Sequence, residues 1–305
     1  MSASVDAMAQ AIVEAHRAVV GLPISDESPT QYHHAEHAYR AAKQAARALG
    51  FIEIDAECVA LAWRARTERT GDFDASTWPD QPGDFGLAPH PRGDAFAVCP
   101  KSLGLYAVLP DAAWVGSMAQ AGVPTLQLRF KSDDAAAVQR EVDIAVEAVR
   151  GTGARLFIND HWEAAIRAGA YGVHLGQEDI ADADLSAIRS EGLRLGLSTH
   201  GYAEMLRVDR LSPSYIAMGA VYPTNLKVMP TAPQGPGRLA AYARLMREHA
   251  LVAIGGIDDA RLPEVLSSGV GSVAVVRALV AAPQPEAVAA KWQALIEAAT
   301  AARPR

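Results

Sequence analysis

Short runs of apolar and β-branched residues recur through the last two-thirds of the chain and alternate with stretches of helical periodicity. The eight runs are Leu105–Leu109, Thr125–Arg129, Arg155–Ile158, Gly172–Leu175, Leu193–Leu197, Tyr215–Met218, Leu251–Ile254 and Ser272–Val276. Each run is bounded by Gly, Pro or polar residues, which is typical of parallel strands buried on both faces. Eight such strands alternating with helices predict an α/β fold, a (β/α)8 TIM barrel. An open doubly wound sheet is the alternative, but no Gly-x-Gly-x-x-Gly motif follows the first strand.

Two helices between these strands have recognisable ends. Ser132 is predicted to cap a helix that carries two aspartates in its first turn and stops at Gly151. Asp258 is predicted to open a second helix, with Leu262, Val265 and Leu266 on its inner face, that stops at Gly269.

The pattern changes character near residue 100. Alanines repeat at helical spacing over residues 35–49, Gly50 supplies a stop, and a second short helix is predicted over Ile54–Thr67. Residues 71–100 contain several prolines among glycines and aspartates, which favours an irregular connector. We therefore predict a mainly helical and irregular N-terminal extension over residues 1–100, with no assigned role, and a barrel domain over 101–305.

Composition and charge narrow the classes of partner. Half of the 305 residues are hydrophobic and 21% are charged, as in ordinary globular proteins. The net charge is -7 and Lys and Arg form no block, so a nucleic-acid partner is not expected, and anionic small molecules would need locally placed cations. Cys58 and Cys99 have neither a disulfide framework nor metal-ligand spacing. With no signal sequence and no long apolar run, we expect a cytoplasmic protein without a membrane partner; a homo-oligomer is compatible with the sequence.

Functional residues of a barrel lie at the carboxyl ends of its strands. After the second strand, Gln127, Arg129 and Lys131 alternate, so they share one face while the strand stays extended. Two cations and an amide on one face suit a phosphate or diphosphate; a solvated strand end with salt bridges is the alternative interpretation.

Two aspartates follow neighbouring strands. Asp160 comes after Asn159 at the end of the third strand, and Asp179 follows the fourth. Two hard oxygen ligands on adjacent strand ends could share Mg²⁺ together with substrate phosphate oxygens. Either aspartate alone is more often a helix cap, and Asp160 precedes a predicted helix over 164–168.

The remaining strand ends add donors and glycines. Ser198 and Thr224 offer hydroxyl groups, and Lys227 offers a further cation. A Ser198–His200 nucleophile is disfavoured because no small-residue elbow surrounds the serine. His174 is interpreted as a buried, hydrogen-bonded histidine. Gly256 after the seventh strand and the Val276–Arg277 backbone after the eighth lie where barrels bind phosphate through backbone amides. The sequence thus predicts two anionic subsites.

Taken in order, these residues resemble the thiamine-phosphate synthase family over about residues 104–300. The resemblance rests on several strings, of which Gln127-Leu-Arg-Phe-Lys131 and Gly172-Val-His-Leu-Gly-Gln-Glu-Asp179 are the most specific. It implies a (β/α)8 transferase of thiamine biosynthesis that joins 4-amino-5-hydroxymethyl-2-methylpyrimidine diphosphate to 4-methyl-5-(2-phosphooxyethyl)thiazole and releases pyrophosphate.

The resemblance also implies residue roles. The pyrimidine diphosphate would be held by Gln127, Arg129, Lys131, Asn159, Ser198 and Lys227. Asp160 and Asp179 would bind Mg²⁺. The thiazole phosphate would be held by Thr224, Gly256, Val276 and Arg277. The catalytic cations would be Arg129, Lys131 and Lys227.

The chain departs from the family pattern at three positions. Asn225 and Leu226 stand where hydroxyl residues are usual, and Arg277 stands where a small Ser is usual, which concerns the thiazole side. Two alternatives stay open: a thiazole tautomerase-like barrel, and a catalytically weak ligand-binding or regulatory barrel. Retention of the cations and of both aspartates argues against the tautomerase.

Overall fold

A computed structural model describes residues 4–22, 28–224 and 231–302. Eight parallel strands close into a barrel in which each strand pairs with the next along the chain and β8 pairs with β1. The strands are β1 (Gly104–Leu109), β2 (Thr125–Leu128), β3 (Arg155–Asn159), β4 (Gly172–Leu175), β5 (Arg194–Thr199), β6 (Tyr215–Met218), β7 (Leu251–Ile254) and β8 (Ser272–Val275). The predicted (β/α)8 barrel is therefore confirmed.

Helices surround the barrel and form the N-terminal extension. Those before the barrel are α1 (Val5–Val20), α2 (His37–Ala48) and α3 (Glu53–Thr70). Those of the barrel are α4 (Ala112–Gln120), α5 (Ala135–Ala148), α6 (Trp162–Ala168), α7 (Leu185–Ser190), α8 (Tyr202–Asp209), α9 (Gly235–Leu245), α10 (Leu262–Ser267), α11 (Arg277–Val280) and α12 (Pro285–Ala301). Within the described ranges, no helix is both long and apolar enough to cross a membrane.

Both faces of the strands are buried, as their continuous apolar runs predict. Inward side chains such as Tyr106, Phe157 and Tyr215 fill the barrel interior as one cluster. Outward side chains such as Leu126 and Leu195 pack under the surrounding helices in a second, larger cluster. The interior is thus a packed core, and the described residues leave a cavity at the carboxyl ends of the strands.

Two predicted helix starts were wrong by a few residues. The N-cap of α5 is Asp134, whose side chain accepts a hydrogen bond from the amide of Ala136, while Ser132 accepts from Asp134 one turn earlier. Asp258 accepts from the amide of Arg261 in a turn, and α10 begins only at Leu262. Aspartate and serine stabilise isolated turns as readily as helix caps, so their position alone does not fix a helix start.

The N-terminal extension consists of three helices and the connector that follows them. α1, α2 and α3 pack together, and the connector has one 3-10 turn at Pro82–Phe85. α1 was not predicted. The extension packs on α8 and α9, and its apolar residues belong to the same cluster that lies under the barrel helices. Residues 1–100 and 101–305 as separate domains stay a prediction.

Candidate active site

A cavity of about 530 Å³ opens at the carboxyl ends of the strands. That volume is typical of a site for a small molecule. Its lining includes most of the residues singled out in the sequence, namely Gln127, Arg129, Asn159, Asp160, Asp179, Ser198, Thr224, Gly256, Val276 and Arg277. Side chains that are far apart in sequence meet here because parallel strands all end at the same edge of a barrel.

Seven side chains on six strands or their ends form one hydrogen-bonded chain across the cavity floor. In order they are Ser198, His174, Tyr215, Tyr106, Gln127, Asn159 and Asp160. The donor–acceptor distances from Ser198 to Asn159 are 2.8, 2.7, 2.7, 3.0 and 2.6 Å. The last link, from the Asn159 amide to the Asp160 carboxylate, is also made. The chain thus links side chains of β1 to β6 along the cavity floor, from Ser198 on β5 to Asp160 at the end of β3.

Asp160, the acidic end of this chain, determines which group donates in each hydrogen bond from Asp160 to His174. An ionised carboxylate only accepts, so the Asn159 amide nitrogen donates to Asp160 and its oxygen accepts from Gln127. The Gln127 oxygen then accepts from Tyr106, so the Tyr106 oxygen accepts from Tyr215.

The same logic continues beyond the tyrosine pair. The Tyr215 oxygen accepts from Nδ1 of His174, and Nε2 of His174 is hydrogen-bonded to the Ser198 hydroxyl. Nδ1 of His174 therefore carries a proton. The expectation of a buried, hydrogen-bonded His174 is confirmed. Nδ1 of His174 is bonded to Tyr215 rather than to a carboxylate, so the arrangement is not a Ser–His–Asp triad.

Asp160 and Asp179 meet at the rim of the cavity. Asp160 has a φ of 63°, a left-handed conformation that Asp tolerates better than most residues, and its amide donates to the carbonyl of His174 at 3.0 Å. Partial burial, followed by the charge of Asp179, raises the pKa of Asp160 to about 6. The two carboxyl groups are within hydrogen-bond reach of each other. They form a pair that a cation would stabilise.

The interpretation of Asp160 as a helix cap is not supported. The N-cap of α6 is His161, which makes no side-chain cap, and the Asp160 carboxylate accepts from Asn159. Asp179 accepts from the amide of Gly176 at 3.1 Å, a link within its own turn. Across the described ranges, no group of three or more His, Cys, Asp or Glu side chains is arranged to hold a metal.

The opposite side of the cavity is built from backbone. Gly255 and Gly256 have φ of 106° and 65°, and a Cβ on Gly256 would lie 2.5 Å from the carbonyl oxygen of Pro223. Only glycine fits at Gly256, where the loops after β6 and β7 touch. Val276 and Arg277 follow β8 beside it, and the exposed Arg277 side chain belongs to the cavity lining.

Lys131 and Lys227 differ from the other predicted site residues, because neither is among the described residues that line the cavity. Lys131 is exposed and does not belong to the cavity lining of the described residues. β2 ends at Leu128, so the alternation that should have carried Lys131 inward stops after Arg129. Lys227, like Asn225 and Leu226, lies outside the described residues.

Sequence reasoning missed three polar residues of the cavity. Tyr106 and Tyr215 were taken only as parts of apolar strands, because residues on both faces of a buried parallel strand look alike in sequence. Arg261 lines the cavity from the segment before α10, where its guanidinium donates to the Gly256 carbonyl at 2.6 Å and lies over the ring of Tyr222. Its position five residues after a glycine pair was the available signal.

Comparison with known proteins agrees with this geometry. A family model described as thiamine monophosphate synthase matches residues 98–279. The thiamine-phosphate synthase of Neisseria meningitidis serogroup B is 53% identical over 193 residues, which cover 63% of this chain and 94% of the relative. That of Yersinia pseudotuberculosis serotype O:1b is 48% identical over 195 residues, covering 64% and 91%.

A solved structure shares the fold. The thiamine phosphate pyrophosphorylase of Pyrococcus furiosus superposes with a TM-score of 0.57 at 24% identity, over 65% of this chain and 96% of that one. The family match spans β1 to β8 and every described residue of the cavity lining. The chain belongs to the thiamine monophosphate synthase family.

Proposed function

We propose that the mouth of this barrel joins 4-amino-5-hydroxymethyl-2-methylpyrimidine diphosphate to 4-methyl-5-(2-phosphooxyethyl)thiazole, forming thiamine phosphate and releasing pyrophosphate. The observation that carries the proposal is the cavity itself. In one space of small-molecule size it combines a polar, partly acidic side with Arg129 and an opposite side of glycine backbone. Two anionic groups on two substrates need two such subsites.

The diphosphate side is formed by the ends of β2 to β5. Arg129 supplies a fixed positive charge, and a planar guanidinium suits the paired oxygens of a phosphate. Gln127, Asn159 and Ser198 would hold the pyrimidine diphosphate by hydrogen bonds. Lys131 and Lys227 are assigned here by resemblance to the family, and both assignments stay predictions.

Asp160 and Asp179 would hold Mg²⁺ on this side. The donor set fits the ion, because Mg²⁺ in phosphate sites is bound by one or two carboxylates and completed by water and substrate oxygens. The raised pKa of Asp160 fits as well, because burial and then the charge of Asp179 favour the protonated form, and a bound cation would offset the repulsion between the carboxylates. When bound, the ion would neutralise negative charge on the departing diphosphate.

The reaction needs no protein nucleophile. The bond between the pyrimidine methylene carbon and the diphosphate oxygen breaks, and its electron pair leaves with the diphosphate. The positive charge left on the methylene spreads into the electron-rich aminopyrimidine ring. The lone pair of the thiazole nitrogen then forms the new carbon–nitrogen bond. The protein contributes Arg129 against the developing diphosphate charge, and a cavity that would shield the cation from much of the surrounding water.

The thiazole phosphate would lie across the cavity. The backbone around Gly256 and Val276–Arg277 presents amides to the cavity. Gly256 has no Cβ of its own that would keep a phosphate away from them. Thr224 lines the same side. Arg261 and Arg277 also line the cavity there and offer positive charges, and Arg277 stands where the family pattern has a small Ser.

The test is direct. Purified protein, Mg²⁺, the pyrimidine diphosphate and the thiazole phosphate are mixed, and thiamine phosphate and pyrophosphate are measured. We expect both products in equal amounts. Folded protein that binds the substrates without releasing pyrophosphate would support a binding barrel, and turnover of a thiazole phosphate isomer without the pyrimidine would support a tautomerase; either result would overturn the proposal.

A further inference from the structure

The N-terminal extension, almost all of which lies before the family match, contacts the barrel at two helices next to the cavity. α8 begins at Tyr202, two residues after the cavity residue His200. α9 begins at Gly235, at the end of the segment that contains the cavity residue Thr224. The extension therefore packs behind the ends of β5 and β6.

Arg238 on α9 is the charged centre of this contact. It is 2% exposed, and its guanidinium lies 3.6 Å from the centre of the Phe51 ring. Nε donates to the carbonyl of Val20 and Nη2 to the carbonyl of Leu49, both at 2.9 Å. These carbonyls lie at the ends of α1 and α2, where helix dipoles place partial negative charge. Two helix ends of the extension thus neutralise a buried cation of the barrel.

The same guanidinium holds the base of the β6–α9 segment. Its Nη1 donates to the side-chain oxygen of Gln234 at 3.1 Å, and Tyr242 donates to that oxygen at 2.9 Å. The Gln234 amide donates to the carbonyl of Ala220 at 2.9 Å, and the next amide bonds to the carbonyl of Val221. These bonds join residues 220–221 to residues 234–235, and Thr224 lies three residues after Val221. Arg238 therefore connects the ends of α1 and α2 to a wall of the cavity.

Asp55 on α3 makes a second connection, at the start of α8. Its carboxylate is 3% exposed and accepts from the amide of Ala203 at 2.8 Å and from that of Tyr202. Gly201 has no room for a side chain, because a Cβ there would lie 2.1 Å from Oδ2 of Asp55. The extension thus supplies the N-terminal cap of the helix that follows Ser198 and His200.

The barrel side of the contact is shaped to receive the extension. A Cβ on Gly237 would lie 1.7 Å from the carbonyl oxygen of Val19, so the end of α1 can approach α9 only because glycine stands there. Tyr202 stacks on Phe85 and accepts a hydrogen bond from the indole of Trp78 at 2.9 Å.

We propose that the N-terminal extension positions the active site: Asp55 and Arg238 are positioning residues that fix the ends of the β5–α8 and β6–α9 connections and hence Ser198 and Thr224. The kinetic part of this inference rests on the proposed function. Its structural part concerns only the connections themselves and can be measured without substrate.

The main experiment compares two full-length variants. Arg238→Met keeps most of the buried side-chain volume and removes all three donated hydrogen bonds. Arg92→Met is the matched control, because Arg92 also joins the extension to α8, but at Asp209 on the far end of that helix. We expect Arg238→Met to speed hydrogen exchange of the Gln234 and Gly235 amides at least tenfold and to raise the KM for thiazole phosphate at least tenfold. Arg92→Met should change each less than twofold.

A second pair of variants, at Asp55, keeps the inference testable if Arg238→Met does not fold. Asp55→Ala removes the cap of α8, whereas Asp55→Asn keeps an oxygen that can accept from Ala203. We expect Ala to speed exchange of the Ala203 amide and to raise the KM for the pyrimidine diphosphate, and Asn to restore both. Unchanged exchange in Arg238→Met and Asp55→Ala, or equal effects of Arg92→Met, would overturn the inference. A wild-type protein that shows the exchange differences but makes no thiamine phosphate would instead overturn the proposed function alone.

Discussion

Asp160 shows how several constraints meet at a single residue. Its backbone lies in the left-handed region, its amide bonds to β4, and its carboxylate both ends the hydrogen-bonded chain and faces Asp179. Alanine at this position would change the backbone preference as well as the charge. Asn keeps the shape and tolerates the positive φ, so Asp160→Asn isolates the effect of the charge.

Asp160→Asn tests the magnesium pair. We expect kcat/KM to fall at least a hundredfold, while His200→Ala keeps much more activity, because His200 lines the cavity but is paired with Glu204 on α8. Without metal the variant should be more stable than wild type above about pH 6. The raised pKa makes the folded protein bind more protons between about pH 4 and 6, so this residue's stabilising contribution, present at low pH, is lost as pH rises through about 6.

Thermal unfolding with and without Mg²⁺ measures this without substrate. Mg²⁺ should raise the Tm of wild type at pH 8, do so less at pH 5, where protons compete for Asp160, and leave the variant unchanged. An equal rise of Tm in both proteins would place the ion elsewhere.

Tyr215 is the central link of the chain on the cavity floor. Tyr215→Phe removes the acceptor of the His174 Nδ1 proton and the donor to Tyr106 in a fully buried place. We expect a loss of about 1–3 kcal/mol in the free energy of unfolding, the usual effect of leaving buried polar groups unpaired. Since Ser198 would lose its fixed orientation, kcat/KM should fall too. Tyr171→Phe, on a half-buried tyrosine outside the cavity lining, is the control for urea unfolding and should lose less than about 1 kcal/mol.

At the scale of elements, the loops after β6 and β7 depend on one contact. Gly256→Ala would press a Cβ against the Pro223 carbonyl, so the KM for thiazole phosphate should rise more than tenfold, with a smaller change for the pyrimidine diphosphate. Gly122→Ala has nearly the same backbone strain, with φ of 82°, and no atom within 4 Å of its Cβ. It should destabilise by about 1 kcal/mol and leave both KM values intact. Steady-state kinetics with each substrate varied will decide this.

The strands were readable from the sequence because burial on both faces leaves continuous apolar runs, and seven of the eight predicted carboxyl ends lie within one residue of the observed ends. The same burial hid Tyr106 and Tyr215. Lys131 was placed inside the site because strand alternation was extended past Leu128, and no local signal marks where a strand stops hydrogen bonding. The contact through Arg238 joins its guanidinium to the carbonyls of Val20 and Leu49, which are 218 and 189 residues away in sequence, so no local pattern could predict it.

For the whole molecule, the acidic net charge and the anionic substrates are reconciled by a few placed groups. Arg129, Arg261 and Arg277 line a cavity in a chain of net charge -7. Charge near the reacting atoms counts more than net charge, because distant surface charges are screened by salt. The N-terminal extension packs on the barrel, and the apolar residues of the two parts form one continuous core.

We expect this shared core to make the extension and the barrel unfold as a single unit, and Asp55 at their contact tests this expectation. Burial raises the pKa of Asp55 from 3.8 to about 6. The folded protein therefore binds more protons than the unfolded chain between about pH 4 and 6, and the stabilising contribution present at low pH is lost as pH rises through about 6. Asp55→Asn should consequently raise the free energy of unfolding by about 1–2 kcal/mol at pH 8 and by nothing at pH 3.5.

Asp209→Asn should change the free energy of unfolding in the opposite direction at high pH. Hydrogen bonds from His249 and Arg92 outweigh burial and lower the pKa of Asp209, so its contribution is present above the unfolded pKa and is lost as pH falls. This variant should be less stable than wild type at pH 8, with the difference shrinking toward pH 3. Urea unfolding followed by circular dichroism and by tryptophan fluorescence measures both variants. Because Trp63 and Trp78 lie in the extension and Trp292 in the barrel, coincident shifts by both probes are expected, and a separate extension transition would contradict the single unit.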